Sequence, residues 1–287
     1  MLVSGTTLLE VANRENFAIP AYNISSYSMF NAVLRACEAD QTPWIVAIHP
    51  LELAHTGTEV VAAYLAAAHA TKLPMAVHLD HGGTFEQVMV AIHHGFTSVM
   101  LDASTQSFAD NAALVAKVVE AAHATGVSVE GELGTIGQMA FQSEDGNKTI
   151  IYTKPEDAKR FVELTGCDSL AVAIGTSHGL YPAGMTPSLH LDLLSEIKQA
   201  VGVPLVMHGG SGNPDEEVGQ ACRLGINKVN ISSDIKHAYY TRMRSVLTDT
   251  AVREPNEIEP PCEQALMDVV AAKNALFGAT GRAALYA

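Results

Sequence analysis

Basic residues are scarce in this chain: 17 Lys and Arg stand against 31 Asp and Glu, a formal net charge of −14. That balance argues against a general nucleic-acid or anionic-membrane surface, since both need a basic footprint. It leaves room for a phosphorylated ligand, which backbone N–H groups can bind locally. Cysteine is sparse as well. Cys37, Cys167, Cys222 and Cys262 lie far apart with no CxxC pair, which speaks against a disulfide framework and for a reducing cytosol. No apolar run reaches the roughly 18 residues of a membrane span. The N-terminal MLVSGTTLLEVANREN lacks a basic stretch ahead of a long apolar core, so no secretory leader is expected. The expectation is a soluble, cytoplasmic protein.

What is present is rhythm. Short apolar runs at 17–23, 44–48, 75–79, 98–102, 127–133, 169–174, 205–207 and 228–231 read as strands. Helical patterns lie between them at 28–39, 59–70, 86–93, 111–123, 155–164, 191–200 and 215–224. The strand runs are continuously apolar, as in a parallel sheet covered on both faces. Gly95, Gly126, Gly166, Gly202 and Gly225 follow helices where a left-handed residue is wanted, and Pro155 and Pro214 stand near helix starts. Eight such units without a linker predict α/β architecture: one (β/α)8 barrel domain over 1–287 with extra C-terminal helices. A doubly wound sheet ranks second, because the turn PAYNISSYS lacks a glycine-rich fingerprint. Two stretches break the rhythm. Segment 134–154 is long and polar, as a lid or a disordered loop would be. The tail after Ser233 reads as two helices separated by REPNEIEPP.

In a parallel barrel, catalytic side chains come from strand C-termini. Those positions hold Asn23, His49, Asp80, His81, Asp102, Glu130, Glu132, His178, His208 and Asn230. His81 (HLDHGG), His178 (GTSHG) and His208 (VMHGG) each close a strand and precede glycine. Any one alone could be a histidine bonded to a carbonyl. Three from different strands point instead to a catalytic metal held by three imidazoles with one position open. His69, His93, His94 and His123 fall inside helices and read as surface or packing residues. Asp80 is costly at the end of a buried strand unless paired or used; it could orient a ligand or act as general acid/base. Asp102 and Glu132 are hydrogen-bonded barrel carboxylates or partners of a displaced metal. HGGSG and KVNISSD, after the seventh and eighth strands, together suggest a phosphate site made of glycine N–H groups and a helix N-terminus.

HLDHGG, VEGELG, AVAIGTSHGLY, PLVMHGGSG and KVNISSD, in this order, resemble the class II, zinc-dependent ketose-bisphosphate aldolases, with the tagatose-1,6-bisphosphate branch most similar. The resemblance implies a TIM barrel, homodimeric or homotetrameric, with one catalytic Zn2+ on His81, His178 and His208. Asp80 is then the acid/base, and Asp102 and Glu132 mark a second or resting metal position. Gly179, Gly209, Gly210, Ser211, Asn230, Ile231, Ser232 and Ser233 would hold dihydroxyacetone phosphate, aided by a monovalent cation, Na+ or K+. The implied reaction is reversible cleavage of a ketose 1,6-bisphosphate, tagatose or fructose type, to dihydroxyacetone phosphate and glyceraldehyde 3-phosphate. The expected partner is thus a small phosphorylated sugar. Two departures touch the aldehyde half. The lid reads ELGTIGQMAFQSED, with Gln138 and Ala140 where the family carries glycine and glutamate, so Glu144 is the substitute. His49 replaces a small hydroxyl residue. Alternatives are an aldolase for a ketose 1-phosphate giving an unphosphorylated aldehyde, and a non-catalytic barrel subunit of an aldolase complex. A zinc hydrolase or metal-dependent epimerase also competes, though IPAYNIS lacks the HxH pair such hydrolases place after the first strand.

Overall fold

Strands such as WIVAI and SLAV have no polar face to offer water, and they are buried along their whole length. The computed structural model describes residues 1–135, 137–138, 151–179 and 187–286, with the backbone alone at 137, 138 and 178. In it β1 (Ile19–Asn23), β2 (Trp44–Ile48), β3 (Met75–Gly82), β4 (Ser98–Leu101), β5 (Ser128–Leu133), β7 (Ser169–Val172), β9 (Leu205–Met207) and β10 (Ile226–Ile231) close into a barrel. Every pairing is parallel, in the order β1-β10-β9-β7-β5-β4-β3-β2. The fold is a (β/α)8 barrel. A short parallel pair, β6 (Gly137–Gln138) and β8 (Ser177–His178), stands apart from it.

The outer ring is built by α2 (Tyr27–Asp40), α4 (Glu59–Ala70), α5 (Phe85–His93), α6 (Phe108–His123), α7 (Pro155–Thr165), α8 (Leu191–Ala200), α9 (Asp215–Leu224) and α10 (Ser233–Val246). Hydroxyl side chains start several of them: Ser26, Thr84 and Ser107 each accept an N–H from the first turn. Two helices add to the expected set. α3 (Pro50–Thr56) is a short turn whose N-cap is His49. α1 (Gly5–Glu15) closes the N-terminal end of the barrel, burying Leu8, Leu9 and Ala12. There Gly5 donates its N–H to Ser128 Oγ at 3.0 Å.

The tail differs from expectation. α11 (Pro255–Leu276) begins inside REPNEIEPP and carries Pro260 and Pro261 in its second turn. Each proline removes one helical hydrogen bond, a cost of about 3 kcal/mol in a helix interior. Burial of Cys262, Leu266, Val270 and Asn274 against α2 and α10 offsets it. Asn274 also accepts the Tyr22 hydroxyl at 2.8 Å, tying the tail to β1. Gly202 is a second correction. Its φ is not left-handed, because α8 ends through Val201 in an extended conformation.

The segment 134–154 is held together at its ends. Thr135 donates to the Ile151 carbonyl at 3.0 Å, and Ile151 donates back to Thr135 Oγ1 at 2.9 Å. The Thr153 hydroxyl donates to the Leu133 carbonyl and accepts from Ala173 N–H, bridging the ends of β5 and β7.

Candidate active site and metal centre

Consecutive strand residues point to opposite sides of a sheet, so Asp80 and His81 should not both face the barrel interior. A bulge removes the conflict. The register between β3 and β4 shifts between Leu79 and Gly82, and His81 adopts a left-handed φ of 50°. Both side chains thereby turn toward His208 at the end of β9. Ligand atoms of Asp80, His81 and His208 lie within 4.8 Å of one another, and all three residues are buried. The bulge also explains the glycine after His81. A Cβ on Gly82 would sit 2.6 Å from the Met100 carbonyl oxygen.

Asp80 is clamped. Asn23 donates to its Oδ2 at 2.6 Å and Asn230 to its Oδ1 at 2.9 Å. His208 Nδ1 lies 3.8 Å from Oδ1. Burial pushes this carboxyl up, but His81, His208 and Lys228 outweigh it and hold the group well below the usual carboxylate range. Asn230 Oδ1 is buried with no hydrogen-bond partner among the described residues. His81 donates through Nδ1 to Asp102 Oδ2 at 3.0 Å, and Ser104 N–H fixes the other carboxylate oxygen. Burial pushes the His81 imidazole down, yet Asp80, Asp102 and Glu132 hold it well above its ordinary value. Ligand atoms of His81, Asp102 and Glu132 form a second compact group.

The segments HGGSG and KVNISSD lie side by side. Gly210 N–H donates to the Asn230 carbonyl at 3.1 Å, so the loop after β9 lies directly on β10. Ser211 Oγ accepts from Ser232 and Asp234 N–H at 3.3 and 3.2 Å, and thus caps α10 in place of Ser232. Gly209 is left-handed (φ 62°), Ile231 is buried, and Ser232 and Ser233 are half-buried at the start of α10. Gly179 follows β8 with φ 97°. His49 is buried, with its ring centroid 6.1 Å from that of His81. The His178 imidazole, Glu144 and Ala140 lie outside the described residues.

The model of the class II fructose-bisphosphate aldolases matches residues 3–282. The chain belongs to that family. A fructose-bisphosphate aldolase of Thermus caldophilus is 36% identical, with the match covering 99% of this chain and 100% of the relative. The solved YdjI aldolase of Escherichia coli K12 superposes with a TM-score of 0.86 at 31% identity, over 99% of this chain and 100% of that one. A solved protein of Coccidioides immitis gives 0.89 at 28%, over 98% of each. The chain is therefore a class II aldolase, a carbon–carbon lyase of a metal-dependent class.

The residues of this aldolase fit a cation. Two imidazoles and a carboxylate converge in a buried spot, and the surrounding carboxylates already stabilise positive charge on His81, the field a metal ion would occupy. Beneath them lies a group of which strand-end reasoning singled out only Glu130. Lys228 is 0% exposed and donates to both oxygens of Glu130, at 2.7 and 3.0 Å. It also reaches His78 Nε2 at 3.4 Å. Burial and Lys228 push the His78 imidazole down to about 3, so it is neutral. The signal was in the alternation: His78, Glu130 and Lys228 each stand two residues before an inward strand-end residue, Asp80, Glu132 and Asn230.

Proposed function

We propose that residues 1–287 act as one catalytic domain that reversibly cleaves a ketose 1,6-bisphosphate of the tagatose or fructose type. The products are dihydroxyacetone phosphate and glyceraldehyde 3-phosphate. The observation that carries this reading is Asp80: a buried, ionised carboxylate clamped by two amides beside a histidine cluster. A Zn2+ held by His81, His178 and His208 would polarise the ketone as a Lewis acid and stabilise the negative charge that develops as the C3–C4 bond breaks. Asp80 takes the C4 hydroxyl proton in cleavage and returns it in condensation. Asn23 and Asn230 hold both its oxygens in place, and the free Asn230 Oδ1 accepts a substrate hydroxyl. Asp102 and Glu132, with His81, offer a second metal position. Gly179, Gly209, Gly210, Ser211, Asn230, Ile231, Ser232 and Ser233 cradle the dihydroxyacetone phosphate end, with Na+ or K+ beside it. Glu144 exchanges the proton of the dihydroxyacetone phosphate carbanion. Lys228, enclosed by Glu130 below the site, is in no position to form a Schiff base, which favours the metal route. The assembly is a cytoplasmic homodimer or homotetramer.

His49 favours a second reading, a ketose 1-phosphate giving an unphosphorylated aldehyde. Its Nδ1 accepts the Leu51 N–H at 3.1 Å. The neutral ring therefore carries its proton on Nε2 and offers an uncharged donor rather than a cation for a second phosphate. Coupled detection of dihydroxyacetone phosphate release, from tagatose and fructose 1,6-bisphosphates and from ketose 1-phosphates, separates the two. Each substrate is run with and without chelator. Chelator-sensitive release from a bisphosphate supports the first reading, and release from 1-phosphates alone the second. Release that survives exhaustive chelation removes the metal mechanism. No release from any substrate by metal-loaded protein leaves the reading of a non-catalytic subunit.

A further inference from the structure

His208 has two ring nitrogens, and one of them is already spoken for. Nε2 donates to Glu130 Oε1 at 2.8 Å. Glu130 is 1% exposed, and both its oxygens accept from the equally buried Lys228. An ammonium can only donate, so the His78 nitrogen facing Lys228, Nε2, acts as acceptor. His78 therefore carries its proton on Nδ1 and gives it to Ser98 Oγ at 2.8 Å. The direction of every bond in this buried column follows from the one obligate donor.

From this geometry we infer that Glu130, held by Lys228, which His78 in turn accepts from, is a positioning residue: it fixes His208 as the Nε2–H tautomer and makes Nδ1, the nitrogen facing Asp80, the metal-binding atom. The inference rests on His208 being a metal ligand, as proposed above. A carboxylate accepting the distal N–H of a ligating imidazole raises its basicity and fixes its plane. A lone buried carboxylate would be too costly for that task, and pairing with Lys228 offsets part of that cost. This gives the barrel a reason to carry a fully buried lysine that touches no substrate.

Two measurements test the inference. In metal-free wild-type protein, NMR of isotope-labelled histidine should show His208 protonated at Nε2 and bare at Nδ1; protonation at Nδ1 overturns the assignment. This measurement involves no variant, so folding cannot obscure it. In the double variant Glu130→Gln/Lys228→Met both buried charges go together and an acceptor remains for Nε2. Competition with a chromophoric chelator should find its affinity for zinc reduced about 10- to 100-fold, with the metal-free circular dichroism unchanged. Wild-type affinity in the folded double variant overturns the positioning role. Failure of the wild-type protein itself to bind zinc would overturn the metal-site reading instead, so the two failures are distinguishable.

Discussion

At the C-terminal end of the barrel, burial is polar and reciprocal. Asp80, His81 and His208 are each held by a partner on, or one residue beyond, a different strand, and the strand carrying two of them is bulged to bring both inward. At the N-terminal end it is steric. There α1 lies so close that a Cβ on Gly5 would sit 2.6 Å from Ser128 Oγ and 2.7 Å from Ser98 Oγ. The column from Ser98 through His78, Lys228 and Glu130 to His208 joins the two ends. The contrast teaches where damage should be read. Changes at the upper end should appear in turnover and metal content, changes at the lower end in stability.

The largest expected effect is at Asp80. Asp80→Asn should lower kcat about 10²- to 10⁴-fold while zinc content and melting temperature stay near wild type. Steady-state kinetics and metal analysis check this, and turnover within tenfold of wild type would remove Asp80 as the acid/base. Gly210→Ala comes next and sharpens the contrast, because this upper-end residue obeys the lower end's steric rule. A Cβ there would meet Val229 Cγ1 at 2.5 Å and the Asn230 carbonyl at 2.8 Å. Forcing the loop off β10 should raise KM for the phosphorylated substrate and also cost about 1–3 kcal/mol of stability. A variant with unchanged KM would show that this loop does not cradle the phosphate.

Gly5→Ala should cost a similar 1–3 kcal/mol, read as a lower denaturation midpoint, with kcat/KM unchanged at 25 °C. Loss of turnover at full occupancy of the folded state would break the division between the ends. The last test concerns Lys198, away from the site, which donates to Asn13 and Asn227 near the lower end. Burial lowers its pKa to about 8 from an ordinary 10.5. Between those values the unfolded chain binds more protons than the folded one, so this residue makes stability rise with pH. The wild-type-minus-Lys198→Gln difference in unfolding free energy should increase from pH 8 to 10.5; a flat difference would contradict the shift.

The barrel was legible because its signal is periodic and local. Apolar runs at 44–48 and 205–207 are the observed strands β2 and β9, and 59–70, 191–200 and 215–224 coincide with α4, α8 and α9. What escaped depends on tertiary contact. α1 is a short amphipathic helix held by the barrel end, and α3 a seven-residue helix started by the His49 cap. Pro260 and Pro261 mark a break in any isolated helix, and only packing on α2 and α10 carries α11 through them. At the site, Asp80, His81 and His208 were readable as strand-end residues, and the structure brings them together. The bulge at His81 was not readable, since it exists only relative to the register of β4. Alternation points Lys228 and Glu130 inward, but their pairing was not readable, since they are 98 positions apart and meet across the barrel interior.

The knot of hydrogen bonds at Thr135, Ile151 and Thr153 bears on how the chain tolerates insertion. It fastens both ends of 136–150 to the rims of β5 and β7 without involving any residue of the histidine cluster. A change of length between those anchors can therefore be absorbed without moving the rims of β5 and β7, whereas 137–138 stay tied to 177–178 by their pairing.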